Sequence, residues 1–179
     1  KFLSLSSGSS GNCYILAEDG QAIMLDQGIG VRTLKKTVAQ YSLSLSNISA
    51  LFVTHEHFDH SRSVGETSTL LDIPVYAHVK VHEAMLLNPR LYRKVLPLLR
   101  RDVECGESIE AGCFKVTPFE VPHDSAFNLG YLVETPSTNI CLITDAGSFP
   151  PHLFPYIKMA RNLVIEATSD ADMLAHGRY

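Results

Sequence analysis

The side chains best suited to chemistry stand together, at His55-Glu56-His57-Phe58-Asp59-His60: three imidazoles and a carboxylate within six positions. Imidazole and carboxylate are the ligands that suit zinc and neighbouring divalent ions, so the cluster reads as a metal site. Its spacing says more. Residues two apart point to nearly opposite sides of a helix but to one side of extended chain, so positions 55, 57 and 59 share a side and His60 turns elsewhere, inviting a second metal. The site is therefore a loop leaving a strand rather than two turns of a helical H-E-x-x-H protease motif. Two later residues fit the same chemistry: His123, after a strand and Pro122, and Asp145, at the end of the apolar run 140–144. Asp26, before Gln27-Gly28, is a third acid at a strand end, placed to orient a ligand from behind. Asp124, beside His123, has a turn or cap as its plainer role and ligand orientation or proton transfer as its chemical one.

Strands and helices must bring these distant positions to one place. Residues 13–17 and 22–25 read as strands joined by a hairpin signal at Glu18-Asp19-Gly20. Apolar spacing predicts helices over 31–41, 64–71, 79–87, 91–99 and 152–161, with Pro89 and Pro97 limiting continuity in the middle pair. Short apolar runs predict strands over 50–53, 75–77, 114–121, 129–134, 140–144 and 163–165. The alternation implies a mixed α/β sandwich, a single domain over 1–179. The run Ser6-Ser7-Gly8-Ser9-Ser10-Gly11-Asn12 resembles a linker, yet apolar segments enclose it on both sides. It lacks the Lys-Ser/Thr and the following helix of a nucleotide loop. It is expected to be a turn between the first two strands, and Ser9, Ser10 or Asn12 would touch a substrate phosphate if that turn lies at the rim of the metal site.

Composition bounds the partners. The chain has 179 residues, 45% hydrophobic and 19% charged, and no apolar run near the roughly 18 residues of a membrane span. No signal peptide is expected, and four scattered cysteines without a C-x-x-C pair suggest a reducing, cytoplasmic setting. A net charge of −4 argues against a protein that coats nucleic acid by bulk electrostatics. A local footprint survives, because Arg90, Arg93, Lys94, Arg100 and Arg101 hold five of the fifteen lysines and arginines. This segment reads either as the solvated face of a helix packed through Leu91, Val95, Leu98 and Leu99, or as a phosphate-backbone contact at the edge of a site. His78 and His82 have helical i,i+4 spacing but no third ligand near in sequence, and are expected at the surface. His152 and His176 are expected to be structural or exposed.

"THEHFDH", preceded by "DQG" and followed in order by "PHD" and "TDAG", resembles the metallo-β-lactamase fold superfamily across essentially the whole chain. That resemblance implies a four-layer αβ/βα sandwich of two mixed sheets with a two-metal site at one edge. It would give His55, His57 and His123 to a first divalent ion and Asp59 and His60 to a second, with Asp145 bridging and Asp26 behind them. The ions would be zinc or manganese, lowering the pKa of a shared water so that the bridging hydroxide attacks the substrate. In that scheme Asp59 and Asp145 carry the catalysis. True β-lactamases of the superfamily lack an acid at the place of Asp145, so antibiotic hydrolysis is not expected. The opening "LSSGSSGNCYIL", with "LDQGI", "PVYA", "VTPFEVPHD" and "DMLAHGRY", is most similar to the YycJ/WalJ branch, whose members are regarded as cytoplasmic metal-dependent exonucleases acting on DNA from the 5′ end.

Departures bear on what that similarity implies. Gln27 replaces the usual alanine of the first motif, a change expected to matter little. Glu166-Ala167-Thr168-Ser169-Asp170 stands where the branch has Glu-x-Asn-His-Asp, so no role passes to Thr168 or Ser169. The superfamily's last histidine ligand lies in a Gly-His motif well beyond the bridging acid, and neither His152 nor His176 matches it. The chain is therefore expected to be C-terminally incomplete, with the second metal short of one ligand. Three functions follow: a phosphodiesterase or 5′-3′ DNA exonuclease, a glyoxalase-II-like thioesterase or other small-molecule hydrolase of the same fold, and a non-enzymatic module that keeps a metal for structure.

Overall fold

A computed structural model describes residues 1–166. Five strands of one sheet follow the predicted pattern: β2 (Cys13–Glu18), β3 (Gln21–Leu25), β4 (Ile48–Phe52), β5 (Val75–Ala77) and, ahead of them, β1 (Phe2–Ser6). A short β6 (Arg100–Asp102) completes the order β1-β2-β3-β4-β5-β6. The second sheet holds β7 (Ile109–Ala111), β8 (Phe114–Glu120), β9 (Leu129–Glu134), β10 (Asn139–Ile143) and β11 (Asn162–Ile165), in the order β11-β10-β9-β8-β7.

The central strands β2, β3 and β4 of the first sheet split their side chains between two cores, as a period of two requires. Cys13, Ile15, Met24, Leu51 and Val53 pack outward against α1 (Val31–Gln40), α3 (Val64–Leu71) and α4 (Val79–Leu87). Tyr14, Leu16, Ile23, Leu25 and Phe52 point the other way and meet Phe114, Leu129, Tyr131 and Leu142 of the second sheet. On that sheet's far side Phe119, Leu132 and Ile143 pack on Leu153 and α5 (Phe154–Met159). The layers thus run helix, sheet, sheet, helix, as the resemblance implied.

This topology aims the site. β3 and β4 are parallel, so Asp26 and His55 leave the same end of the first sheet. β8 and β10 are both antiparallel to β9, hence parallel to one another, and His123 and Asp145 follow their C-terminal ends.

Three expectations are corrected. Residues 91–99 form no helix: a single 3-10 turn at Pro97–Leu99 is all that is helical there, and Leu98 is 67% exposed. The backbone is used otherwise, because Arg93 lies against Gly65, where an added Cβ would come within 2.3 Å of the Arg93 carbonyl oxygen. Lys94 Nζ meanwhile donates to the Met85 carbonyl, 3.1 Å away, beside the end of α4. His78 and His82 are buried rather than on the surface. His78 stacks on the Phe127 ring at 3.8 Å and accepts from Lys80 N at the start of α4, while His82 Nε2 meets the Arg101 carbonyl at 3.2 Å. The chain also stops being extended after His57, since α2 (Phe58–Ser61) is one helical turn, so Asp59 does not continue the side shared by 55 and 57. His176 and the segment from 167 onward lie outside the described residues.

Candidate metal centre

Three backbone segments are knitted together before any ligand is placed. Asn12 N donates to the Asp59 carbonyl at 2.7 Å, Gly28 N to the Asn12 carbonyl at 2.8 Å, and Gln27 N to the His60 carbonyl at 2.8 Å. The approach is close enough to exclude any side chain at position 28, where a Cβ would fall 1.5 Å from the Asp59 oxygen. The glycine-serine run is therefore the β1–β2 turn, as expected, and it does border the site. Ser9 and Ser10 are exposed in it. Asn12 is buried instead of facing a substrate: its Oδ1 accepts from Gly8 N, and its Nδ2 lies 2.8 Å from His60 Nε2 and 3.5 Å from Asp59 Oδ2.

Asp26 is fully buried behind the histidines. Its Oδ1 accepts from Thr54 N at 2.8 Å, the Thr54 hydroxyl lies 2.9 Å from Oδ2, and Oδ2 takes His60 Nδ1 at 2.8 Å. A hydroxyl has one proton, so with that proton given to Asp26 the Thr54 oxygen accepts from His55 Nδ1, 3.0 Å away. The relay fixes the tautomer and leaves His55 Nε2 bare. That nitrogen is buried and has no hydrogen-bond partner, and neither has Asp145 Oδ2, among the described residues. Buried polar atoms are normally paired, so a bare imidazole nitrogen facing a carboxylate oxygen is an arrangement that suits a cation.

The ligand atoms converge there in two groups. His55, His57 and His123 form one and His55, His60 and Asp145 the other, with the atoms of each group within 4.8 Å of one another. His57 Nδ1 stands 3.3 Å from His123 Nε2, and Asp145 Oδ2 lies 2.9 Å from His60 Nε2 and 3.8 Å from His55 Nε2. With His60 protonated, the 2.9 Å approach of its Nε2 to Asp145 is an ion pair, which a bound cation would replace. Asp59 belongs to neither group, its Oδ2 being 3.6 Å from His60 Nε2. An imidazole and carboxylate set of this kind fits a divalent ion of the zinc or manganese type.

Electrostatics separate the rings. Burial, helped by the neighbouring His60, pushes His55 down to about 2, so it is neutral and ready to ligate. Burial also acts to lower His60, but Asp26 and Asp145 outweigh it and raise this ring to about 10. Burial would raise Asp145, yet His60 and the other imidazoles hold it down at about 2. His123 is lowered by burial, with His57 and His60 adding to the effect. Both strand-end acids adopt left-handed backbone, Asp26 at φ 58° and Asp145 at φ 51°. Such conformations are strained for a residue with a side chain and persist where the surroundings overdetermine them.

Sequence reasoning assigned no role to several residues that act here. Thr54 carries the relay, and its place just before His55 at a strand end was the available signal. Gln27, set aside as an unimportant replacement, is fully buried, accepts from Cys13 Sγ at 3.0 Å and donates to Thr67 Oγ1 at 3.2 Å. Glu166 Oε2 accepts from Asp145 N at 3.2 Å; burial and the Asp145 charge raise its pKa. Asp124 is exposed and, among the described residues, makes no side-chain hydrogen bond, so that only its charge reaches His123.

A sheet pair edged by histidines and strand-end acids defines a fold class that known structures share. A subclass B3 metallo-β-lactamase isolated from a soil metagenome library superimposes with a TM-score of 0.65 at 16% identity, over 87% of this chain and 73% of that one. At that identity the likeness establishes the fold. The family model described as a beta-lactamase superfamily domain matches residues 21–178, and the chain belongs to that superfamily. Among curated relatives, it is 31% identical to the exodeoxyribonuclease YycJ of Bacillus anthracis over 99% of its length and 27% identical to the exodeoxyribonuclease WalJ of Streptococcus pneumoniae over 100%. It spans 66% of the length of each.

Proposed function

We propose that this chain is the metal-binding domain of a dinuclear hydrolase that cuts phosphodiester bonds, degrading DNA from the 5′ end in the cytoplasm. One observation carries the substrate: the whole chain, not the ligand loop alone, aligns with two proteins named exodeoxyribonuclease. The four unpaired cysteines accord with a reducing compartment. In this reading His55, His57 and His123 hold one ion, Asp59 and His60 contribute to a second, and Asp145 reaches both. Two bound divalent ions would supply an activated water and neutralise charge on the attacked phosphate.

The chain's own residues do the rest. Thr54 and Asp26 keep the His55 and His60 rings turned so that Nε2 faces the ions. Asn12, Gly28 and Gln27 clamp the ligand loop through backbone bonds, which holds the ligands where small displacements would cost rate. The acids Asp59 and Asp145 stand partly exposed beside the buried imidazoles, on the side a substrate must approach.

The test uses the full-length protein reconstituted with zinc or manganese and offered 5′-labelled single- and double-stranded DNA in parallel with a glutathione thioester. Shortening of DNA from its 5′ end is expected, with hydrolysis lost in Asp59→Ala and Asp145→Ala. Turnover of the thioester alone would overturn the assignment, and full activity in either variant would sink the dinuclear arrangement.

A further inference from the structure

Next to the ligand loop, α2 and the segment around 90–93 face each other across a cleft of about 270 Å³. Phe58 forms part of its wall and lies between His57 and Asp59 in the chain, which ties the cleft to the ligand loop. Three guanidinium groups line it, Arg62, Arg90 and Arg93, with one carboxylate, Glu66. Among the described residues none of the three arginines forms an ion pair. Arg90 lies over the face of the Phe58 ring at 4.1 Å, and Arg62 over it at 5.6 Å. Stacking uses the flat face of a guanidinium and leaves the N–H donors of its rim available for an oxyanion. Tyr92 completes the wall and is 97% exposed, an aromatic ring that gains nothing from folding. The wall is fixed nonetheless, since Leu91 is buried, Arg93 is packed on Gly65 and Lys94 is tied to the Met85 carbonyl.

We propose that this cleft is a nucleotide subsite, which binds a phosphate of single-stranded DNA through Arg62, Arg90 and Arg93 and stacks an unpaired base on Tyr92. The proposal rests on the phosphodiesterase reading above and gives that reading a place for the strand beside the ligand loop. The combination is specific to nucleic acid among phosphate ligands, because a charge groove follows the backbone while an aromatic ring takes the base face. A base can reach such a ring only when it is unpaired, which selects single strands or frayed ends.

Binding is measured by fluorescence anisotropy on the metal-loaded protein, using an uncleavable phosphorothioate oligothymidylate labelled at its 3′ end, over a series of salt concentrations. Cleavage of ordinary oligothymidylate is followed alongside. Tyr92→Ala is expected to weaken binding roughly tenfold without changing the salt slope, and Tyr92→Phe to restore it. Arg93→Ala and Arg62→Ala should each flatten the slope of log K against log salt by about 0.7, the signature of one lost phosphate contact. Metal content and Tm of each variant report on folding. If the wild type binds and cuts DNA while all these variants match it in affinity and slope, the cleft is not the subsite and the phosphodiesterase reading stands. If the wild type neither binds nor cuts DNA, that reading falls and the subsite with it.

Discussion

One hydroxyl decides which nitrogen of His55 is free to bind. Thr54 donates to Asp26 and accepts from His55 Nδ1, so replacing it with the near-isosteric valine removes the relay and leaves His55 Nδ1 buried and unpaired, while Asp26 keeps the Thr54 N–H and His60 Nδ1. Thr54→Val is expected to weaken metal binding by about 10–100-fold, as loss of partners behind a ligand typically does, in titrations against a competing chelator. Unchanged affinity would mean that packing alone orients the ring. His60 makes a second prediction. Asp26 and Asp145 raise this ring to about 10, so at neutral pH it carries a proton that an ion must displace. Metal binding should therefore release protons and weaken as pH falls, which calorimetry in buffers of different ionisation enthalpy reads directly. Gly28 supplies a third. With no room for a Cβ beside the Asp59 carbonyl, Gly28→Ala must push the ligand loop away, and lower Tm and reduced metal content are expected together.

Strand ends and connecting segments explain which elements were legible. The helices over 64–71 and 79–87 and the strands over 75–77 and 129–134 form where local periodicity places them, because each buries one stripe or face against a neighbouring layer. The segment 91–99 had the apolar spacing of a helix yet is held open, for reasons no local pattern carries: Gly65 lets the Arg93 backbone come close, and Lys94 is drawn to the end of α4. Lys94→Met keeps the aliphatic stem and removes the charged donor. It should cost about 1–3 kcal/mol in urea unfolding, since hydrogen bonds to charged groups are worth roughly that. No change would show that packing at Gly65 alone holds the segment.

Across the whole molecule the two sheets and the proposed ions depend on one another. Phe52, buried between the sheets, stacks on Tyr76 at 4.8 Å and meets Tyr131 edge-on, one residue before the loop that leads to the ligands. Phe52→Ala is expected to lose about 3–5 kcal/mol and to lower metal content through the same loop. The converse also holds. An ion present at a thousand times its dissociation constant stabilises the folded state by about 4 kcal/mol, so chelation should lower Tm clearly, and a Tm indifferent to chelator would count against any tightly held metal.

By itself the sequence determined the candidate ligands and the order of the parts: the histidine cluster at a strand end, the later His123 and Asp145, the acid at Asp26 and the layered alternation of strands and helices. These are local properties, since ligand type and periodicity are written in neighbouring residues. Only the tertiary structure decided that Asn12 turns inward to His60, that Gln27 joins Cys13 to Thr67, that His78 and His82 are buried, and that Arg90 rests on Phe58. Each of those outcomes depends on contacts between residues far apart in the chain. The direction of a side chain and the burial of a polar group are set by what packs against them from other elements, and local patterning holds no record of that.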